Sequence, residues 1–149
     1  MIALLQRVTA ASVCIERIVT AQIGRGVVAL IGIERHDEPA AAGRLLERML
    51  NYRLFADAAG RMNLSLRDTG AGLLLVPQFT LAADTARGNR PGFSRAAAPQ
   101  VAADIFQHLI ELARAQHAQI ACGRFGADMQ VSLTNDGPVT FWLQDRPPD

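Results

Sequence analysis

Three histidines, His36, His108 and His117, are the side chains best suited to moving a proton near neutral pH. His36 lies in the charged run "ERHDE", and the other two lie on or just past a helical stretch. None has a cysteine, a Ser-Gly elbow or a second histidine at metal-ligand spacing beside it, so each reads as a surface or helix-end residue. Glycine-rich phosphate signatures, the H-E-x-x-H zinc motif and the G-x-S-x-G nucleophile elbow are all missing from the chain. If this is an enzyme, it lacks the usual side-chain equipment.

Other stretches carry chemistry of a different kind. In "PQFTL", Pro77 to Leu81, the proline stops a strand ladder, after which Gln78 and Thr80 project to one side and Phe79 to the other. Two readings stand here: an edge strand entering a loop, or a strand end whose freed backbone N–H groups aim at a ligand oxyanion. Thr80 offers a hydroxyl as nucleophile or hydrogen-bond donor, but no base is evident beside it. "DTARGNRPGF" sets Arg87 and Arg90 on a glycine-bearing loop, either a solvated turn or a phosphate clamp. "SLTNDGPVTFWL" places Gly137–Pro138 between two apolar strand halves, as a turn or as a recognition device in its own right.

The elements that must position these residues show in the hydrophobic periodicity. "IALLQRVT" (2–9) and "VCIE" (13–16) read as strands, and "GVVALIGIE" (26–34) reads as a central strand between glycines. "HDEPAAAGRLLERMLNYRLF" changes period: Leu45, Leu46, Met49 and Leu50 share one helical face, Asp37 supplies an N-cap and Pro39 a first turn. This helix is expected to end near Phe55. "LLLVPQFTL" resumes strand character up to Pro77. "PQVAADIFQHLIELARAQ" is a second helix, with Val101, Ile105, Leu109 and Leu112 as its buried stripe. The last third returns to strands, and the tail "DRPPD" (145–149) is expected to fray. Two helices amid many strands, without regular alternation, predict an α+β fold.

At 149 residues the chain has room for one domain with a real core, 1–149, and half of its residues are hydrophobic. No apolar run reaches membrane-spanning length, and the N-terminus alternates like a strand instead of resembling a signal peptide. Cys14 and Cys122 lie far apart, as expected of reduced thiols in a cytosolic protein. Net charge is +1 and all fifteen basic residues are arginine, so any RNA contact comes from a local arrangement and not from a global basic surface.

"PQFTLAADTARGNRPGFS" and "GADMQVSLTNDGPVTFWL", with "MIALLQRVTAASV", "ERMLNYRLF" and "GRMNLSL", closely resemble the D-aminoacyl-tRNA deacylases, and the similarity runs nearly end to end. The resemblance implies a homodimer of single α+β domains, with mostly antiparallel or mixed sheets forming a barrel-like core and two main helices. It implies a cytoplasmic hydrolase with no cofactor and no metal. Its partner is the aminoacylated 3′ end of tRNA, from which it cleaves D-amino acids and mischarged glycine. Gln78, Phe79 and Thr80 fall on the family's catalytic strand motif, Gly137 and Pro138 on its Gly-cis-Pro motif, and Arg7 on an arginine that braces that segment. Arg87 and Arg90 are the candidates for RNA phosphates.

The family it resembles usually carries serine where this chain has Pro77. A related subgroup of tRNA deacylases carries proline there, with alanine in place of Phe79 and a trans Gly-Pro bond. The chain therefore combines a subgroup residue with the main family's phenylalanine. Two alternatives stand beside the main reading: a deacylase of relaxed scope acting on small L-aminoacyl-tRNA, and a tRNA-binding dimer without turnover. In the main reading, two rigid carbonyls of the Gly-Pro segment, presented by the partner subunit, receive the α-ammonium group. An L-residue then drives its Cβ into a carbonyl oxygen, whereas a D-residue points to open space. Glycine, with no Cβ, passes.

Overall fold

The computed structural model describes residues 1–146. The chain forms an α+β domain around a strongly curled six-stranded sheet. Its strands are β1 (Ile2–Ile15), β2 (Ile18–Ile23), β3 (Gly26–Gly32), β6 (Gly72–Pro77), β7 (Ile120–Cys122) and β8 (Gln130–Gln144). A small hairpin, β4 (Phe55–Ala56) with β5 (Met62–Leu64), stands apart. The helices are α1 (Pro39–Asn51), the single turn α2 (Leu66–Thr69) and α3 (Pro99–Gln116).

β1 organises the sheet. Its first half pairs antiparallel with β3, its second half with β2, and its opposite edge with β8 along most of its length. β3, β6 and β7 then run parallel to one another. Ile23, at the end of β2, packs against Gly72, and the Gly72 amide donates to the Arg25 carbonyl at 3.1 Å, so the sheet curls nearly into a barrel. Glycine is required where β3 meets β6: a Cβ on Gly26 would overlap the Gly72 carbonyl opposite it.

Period-two alternation divides the core. Val27, Ala29 and Ile31 of β3, with Leu73 and Leu75 of β6, face α1 and α3. Val28, Leu74 and Val76 face the inside of the curl, against Val8 and Val13 of β1. Strands buried on both faces read as continuous apolar runs, which is why 26–32 and 72–77 carry almost no polar residue.

Several boundaries differ from the sequence expectations. The segments 2–9 and 13–16 are one strand, with irregular register opposite β8 where the pairing skips. α1 stops at Asn51, short of Phe55, because Phe55 pairs with Leu64 and a strand pairing ends the helix. Glu38, not Asp37, occupies the N-cap; the Asp37 carboxylate accepts instead from the Glu34 amide at 2.6 Å and the Met1 ammonium at 2.7 Å. The buried stripe of α3 is Ala102, Ile105, Phe106, Leu109, Ile110 and Ala113, while Val101 is exposed. Asp145 does not fray: it is buried, paired with Arg44 at 2.8 Å, and its amide donates to the Met1 carbonyl. Arg146 is exposed and donates to the Gln144 side-chain oxygen at 3.2 Å, and the last three residues of the expected frayed tail, 147–149, lie outside the described residues. Cys14 and Cys122 are both free thiols. Among the described residues no helix is long and apolar enough to cross a membrane.

Candidate active site

β6 ends at Pro77, which pairs with Ile31 of β3. The Gln78 amide makes one more bond, to the Ile31 carbonyl at 2.7 Å, and the chain then folds into a 3₁₀ turn, Phe79–Ala82. Gly32 makes room for this turn, since a Cβ there would lie 2.9 Å from Leu81 Cβ. Within the turn, the Leu81 amide donates to the Gln78 carbonyl and the Ala83 amide to the Thr80 carbonyl. The amides of Phe79 and Thr80 come before the turn's own bonding begins, so neither has a carbonyl partner in it. The result is two adjacent backbone donors just past the end of β6, beside the cleft that Gln78 and Phe79 line. The Gln78 side-chain amide donates to the Thr80 hydroxyl, and no carboxylate or imidazole is bonded to that hydroxyl.

The cleft has a volume of about 780 Å³. Pro77, Gln78 and Phe79 form one wall, Phe93 and the Ala96–Ala98 run a second, and Phe125–Met129 a third. Phe93 returns to Phe79 because the intervening loop is tied at its neck. Asp84 and Gly92 exchange backbone bonds at 2.7 and 3.0 Å, and the Asp84 carboxylate accepts from the Ala86 amide. The two rings then lie 5.2 Å apart, both largely exposed. Gly123 lets Met129 and Pro77 close on each other: a Cβ there would lie 2.8 Å from the Met129 sulfur and 3.4 Å from Pro77 Cδ. The ionisable side chain among the lining residues is Asp128.

Gly137 and Pro138 lie elsewhere. Their peptide bond is cis, and both residues are exposed in the middle of β8. Here five steps of β8, from Asn135 to Thr140, stand against two steps of β1, from Val8 to Gln6, so the segment bulges from the ladder. Two side chains brace it. Arg7 donates through Nε to the Asp136 carbonyl at 2.9 Å and through Nη1 to the Leu54 carbonyl at 2.7 Å. Asn135 accepts from the Val139 amide at 2.7 Å and donates to the Thr140 hydroxyl at 2.9 Å, spanning the bulge from beneath.

The structure thus brings Gln78, Phe79 and Thr80 together, and Arg7 with the Gly137–Pro138 segment, but it does not bring the two groups to each other. Pro77 shares a register row with Ile31, Ala3 and Leu143, while the Gly-Pro bulge lies opposite Arg7. Three strand spacings of about 4.8 Å and about four residues of rise separate them by roughly 20 Å across the sheet. Arg87 and Arg90 sit at the tip of the tied loop, exposed, and neither lines the cleft. His36 is exposed; His117 Nε2 lies 2.6 Å from the Ala71 carbonyl at the end of α3, and no histidine lines the cleft. Phe93, Asp128, Met129 and Asn135 escaped the sequence reading. Only Asn135 had a local signal, an Asx residue just ahead of a Gly-Pro pair.

Residues 4–144 match the family model described as D-Tyr-tRNA(Tyr) deacylase. The chain belongs to the D-aminoacyl-tRNA deacylase family. A D-aminoacyl-tRNA deacylase of Thioalkalivibrio sulfidiphilus is 60% identical over 148 residues, which cover 99% of each chain. Among solved structures, the c-Myc DNA unwinding element binding protein superposes with a TM-score of 0.94 at 36% identity, covering 99% of this chain and 100% of that one. A probable eukaryotic D-amino acid tRNA deacylase superposes at 0.80 with 17% identity, covering 95% and 97%, a likeness of fold alone. The strand end and the braced bulge described above both fall inside the matched family region.

Proposed function

We propose that this protein hydrolyses the ester joining a D-amino acid, or mischarged glycine, to the 3′ end of tRNA, as a cytoplasmic homodimer. The observation that carries the reading is the pair of unengaged amides at Phe79 and Thr80, in the turn that borders an apolar cleft, in a chain of this family. An ester under attack by water develops negative charge on its carbonyl oxygen, and preorganised backbone donors stabilise that charge where water is excluded. The Thr80 hydroxyl, held by Gln78, acts as a positioned spectator. Proton transfer then falls to the substrate's own terminal ribose hydroxyl.

Chirality is read by the partner subunit. The ester carbonyl and the α-ammonium of one substrate are separated by a single carbon. A span of roughly 20 Å across the sheet therefore bars the amide pair and the Gly137–Pro138 carbonyls of one copy from gripping the same molecule. Two copies related by a two-fold axis remove the difficulty: each inserts its exposed bulge into the other's cleft. The bulge's carbonyl oxygens then receive the ammonium and leave no room for an L-side-chain Cβ.

Hydrolysis of D-tyrosyl-, L-tyrosyl- and glycyl-tRNA by the purified protein tests the reading. The expected order is rapid cleavage of the D- and glycyl esters with the L-ester left intact. Equal cleavage of all three would remove the carbonyl filter, and binding without cleavage would leave a tRNA-binding dimer. A D-tyrosyl-tRNA ending in 2′-deoxyadenosine is expected to bind and to resist hydrolysis. Normal turnover on that substrate would shift the proton-transfer role to Asp128, the carboxylate on the cleft wall.

A further inference from the structure

A second cavity, of about 560 Å³, lies between α3 and the β1–β2 hairpin. It is neighbour to the cleft at the end of β6, because Phe125 lines both. Two arginines line it: Arg114, in the last turns of α3, and Arg124, in the segment that leaves β7. Neither has a carboxylate within ion-pair distance among the described residues. Arg114 is oriented by a contact from Nη2 to the Cys122 sulfur at 3.6 Å, and the Arg124 amide donates to the Met129 sulfur at 3.4 Å, which fixes the backbone that carries it. Asp104 also lines the cavity, engaged by the Gln100 side-chain amide at 2.9 Å, so the arginines outnumber the carboxylates there by two to one.

Two arginines without acidic partners, lining one open cavity, make a receptor for an anion with several acceptor oxygens. Their place decides which anion. If the aminoacylated 3′ nucleotide occupies the cleft, the chain of nucleotides behind it must leave across one of the cleft's rims. The rim at Phe125 leads directly to Arg124 and Arg114. We infer that this cavity holds backbone phosphates of the single-stranded 3′ end of tRNA, just upstream of the terminal nucleotide. Arg124 lies nearer the cleft, directly before the wall segment Phe125–Met129, and Arg114 extends the track along α3. The inference rests on the reading of the cleft as the seat of the aminoacyl ester. It differs from an assignment of RNA binding to Arg87 and Arg90, which stand at a loop tip outside both cavities.

The test compares Arg114→Gln/Arg124→Gln with the unmodified protein and with Arg87→Gln/Arg90→Gln, after equal melting temperatures establish that all three fold. Two substrates are used: D-tyrosyl-tRNA and the D-tyrosyl ester of adenosine, which has no upstream phosphate. The cavity variant is expected to raise KM for the tRNA about tenfold, two exposed charge pairs acting together, and to leave the adenosine ester unchanged. Binding of uncharged tRNA across a salt series is expected to lose about 1.4 from the log–log slope, at about 0.7 per phosphate contact on a single strand. An unaltered tRNA KM with an unaltered slope overturns the inference. So does an equal loss on both substrates, which would place the effect in the cleft. Should the unmodified protein cleave neither ester, the deacylase reading falls, while the salt slope still decides the phosphate site by itself.

Discussion

The end of β6 and the middle of β8 each interrupt a strand at a proline, and they are built in opposite ways. At Pro77 the ladder stops, the backbone turns away, and two amide donors are left without carbonyl partners beside the cleft. At Gly137–Pro138 the ladder resumes after the bulge, and side chains tie down the amides and carbonyls around it. One region offers hydrogen-bond donors in a cleft; the other presents a braced, exposed knob. An ester's developing oxyanion calls for the first and an ammonium group for the second. In the proposed reading neither region is a site alone, and the distance between them is why that reading calls for two copies of the chain.

The sharpest way to break this comparison is Gly137→Ala. Gly137 has φ +151, a conformation L-residues rarely adopt, and a Cβ there would lie 2.5 Å from Val139 Cγ2 and 2.6 Å from the Val139 amide. The segment must shift to accommodate it, at about 1–3 kcal/mol of backbone strain. A displacement of an ångström in a positioning element costs on the order of a hundredfold in rate. The expected outcome is about a hundredfold loss of kcat/KM on D-aminoacyl-tRNA with the fold retained by circular dichroism. Full activity would remove the bulge from the mechanism. Arg7→Ala comes next. It strips two charge-assisted bonds from a mostly buried side chain, so stability should fall by about 2–3 kcal/mol and activity by roughly tenfold. Arg7→Lys should recover little of either, because one ammonium does not span both the Asp136 and Leu54 carbonyls. Thermal melting and steady-state rates on the same preparations check both.

How far this contrast was legible beforehand follows from what is local. Pro77 announces its strand end in the sequence, because a missing N–H acts where it stands, and the unbroken apolar run at 26–32 reads as a central strand without telling which residue faces which side. Gly137–Pro138 is visible as a break for the same reason. The early end of α1 is not local: Phe55 leaves the helical pattern to pair with Leu64, nine residues on. The phase of α3 was read one residue off at Val101, since Ala102 has little hydrophobic signal and yet faces the core. Phe93 reaches Phe79 only because Asp84 and Gly92 close the loop between them. The separation of the two motifs depends on strand order, with β1 and β3 lying between β6 and β8, and no spacing in the chain encodes that.

The donor side of the comparison is sharpened by its two side chains. Phe79 is exposed beside Phe93; in the proposed reading it offers a face to the terminal adenine, and base stacking of this kind contributes about 1–3 kcal/mol. Phe79→Ala should therefore raise KM by roughly tenfold with a smaller change in kcat. Thr80→Ala keeps the backbone amide and removes only the hydroxyl that Gln78 engages, so a loss of no more than about threefold is expected. A collapse in kcat for Thr80→Ala would make the hydroxyl the nucleophile, and a covalent aminoacyl-enzyme detected by mass spectrometry would establish it.

The smallest expected effect belongs to Pro77→Ser, and it bears on which region reads handedness. The Pro77 ring lies in the cleft wall, close to Gly123 and Met129, and replacing it with serine adds a hydroxyl and a backbone donor at the end of β6. Both additions are on the donor side, where the proposed reading seats the ester carbonyl. If the acceptors of the partner's bulge judge the α-carbon, a new group beside the carbonyl acts alike on D- and L-esters, because it meets atoms that the two isomers share. Rates on both can rise or fall together, and the ratio of kcat/KM for D- over L-tyrosyl-tRNA should move by less than about threefold, or under 0.7 kcal/mol at 1.4 kcal/mol per tenfold. A tenfold change in that ratio would mean that residue 77 touches the α-substituent itself. The strand end, and not the bulge, would then be where the isomers part.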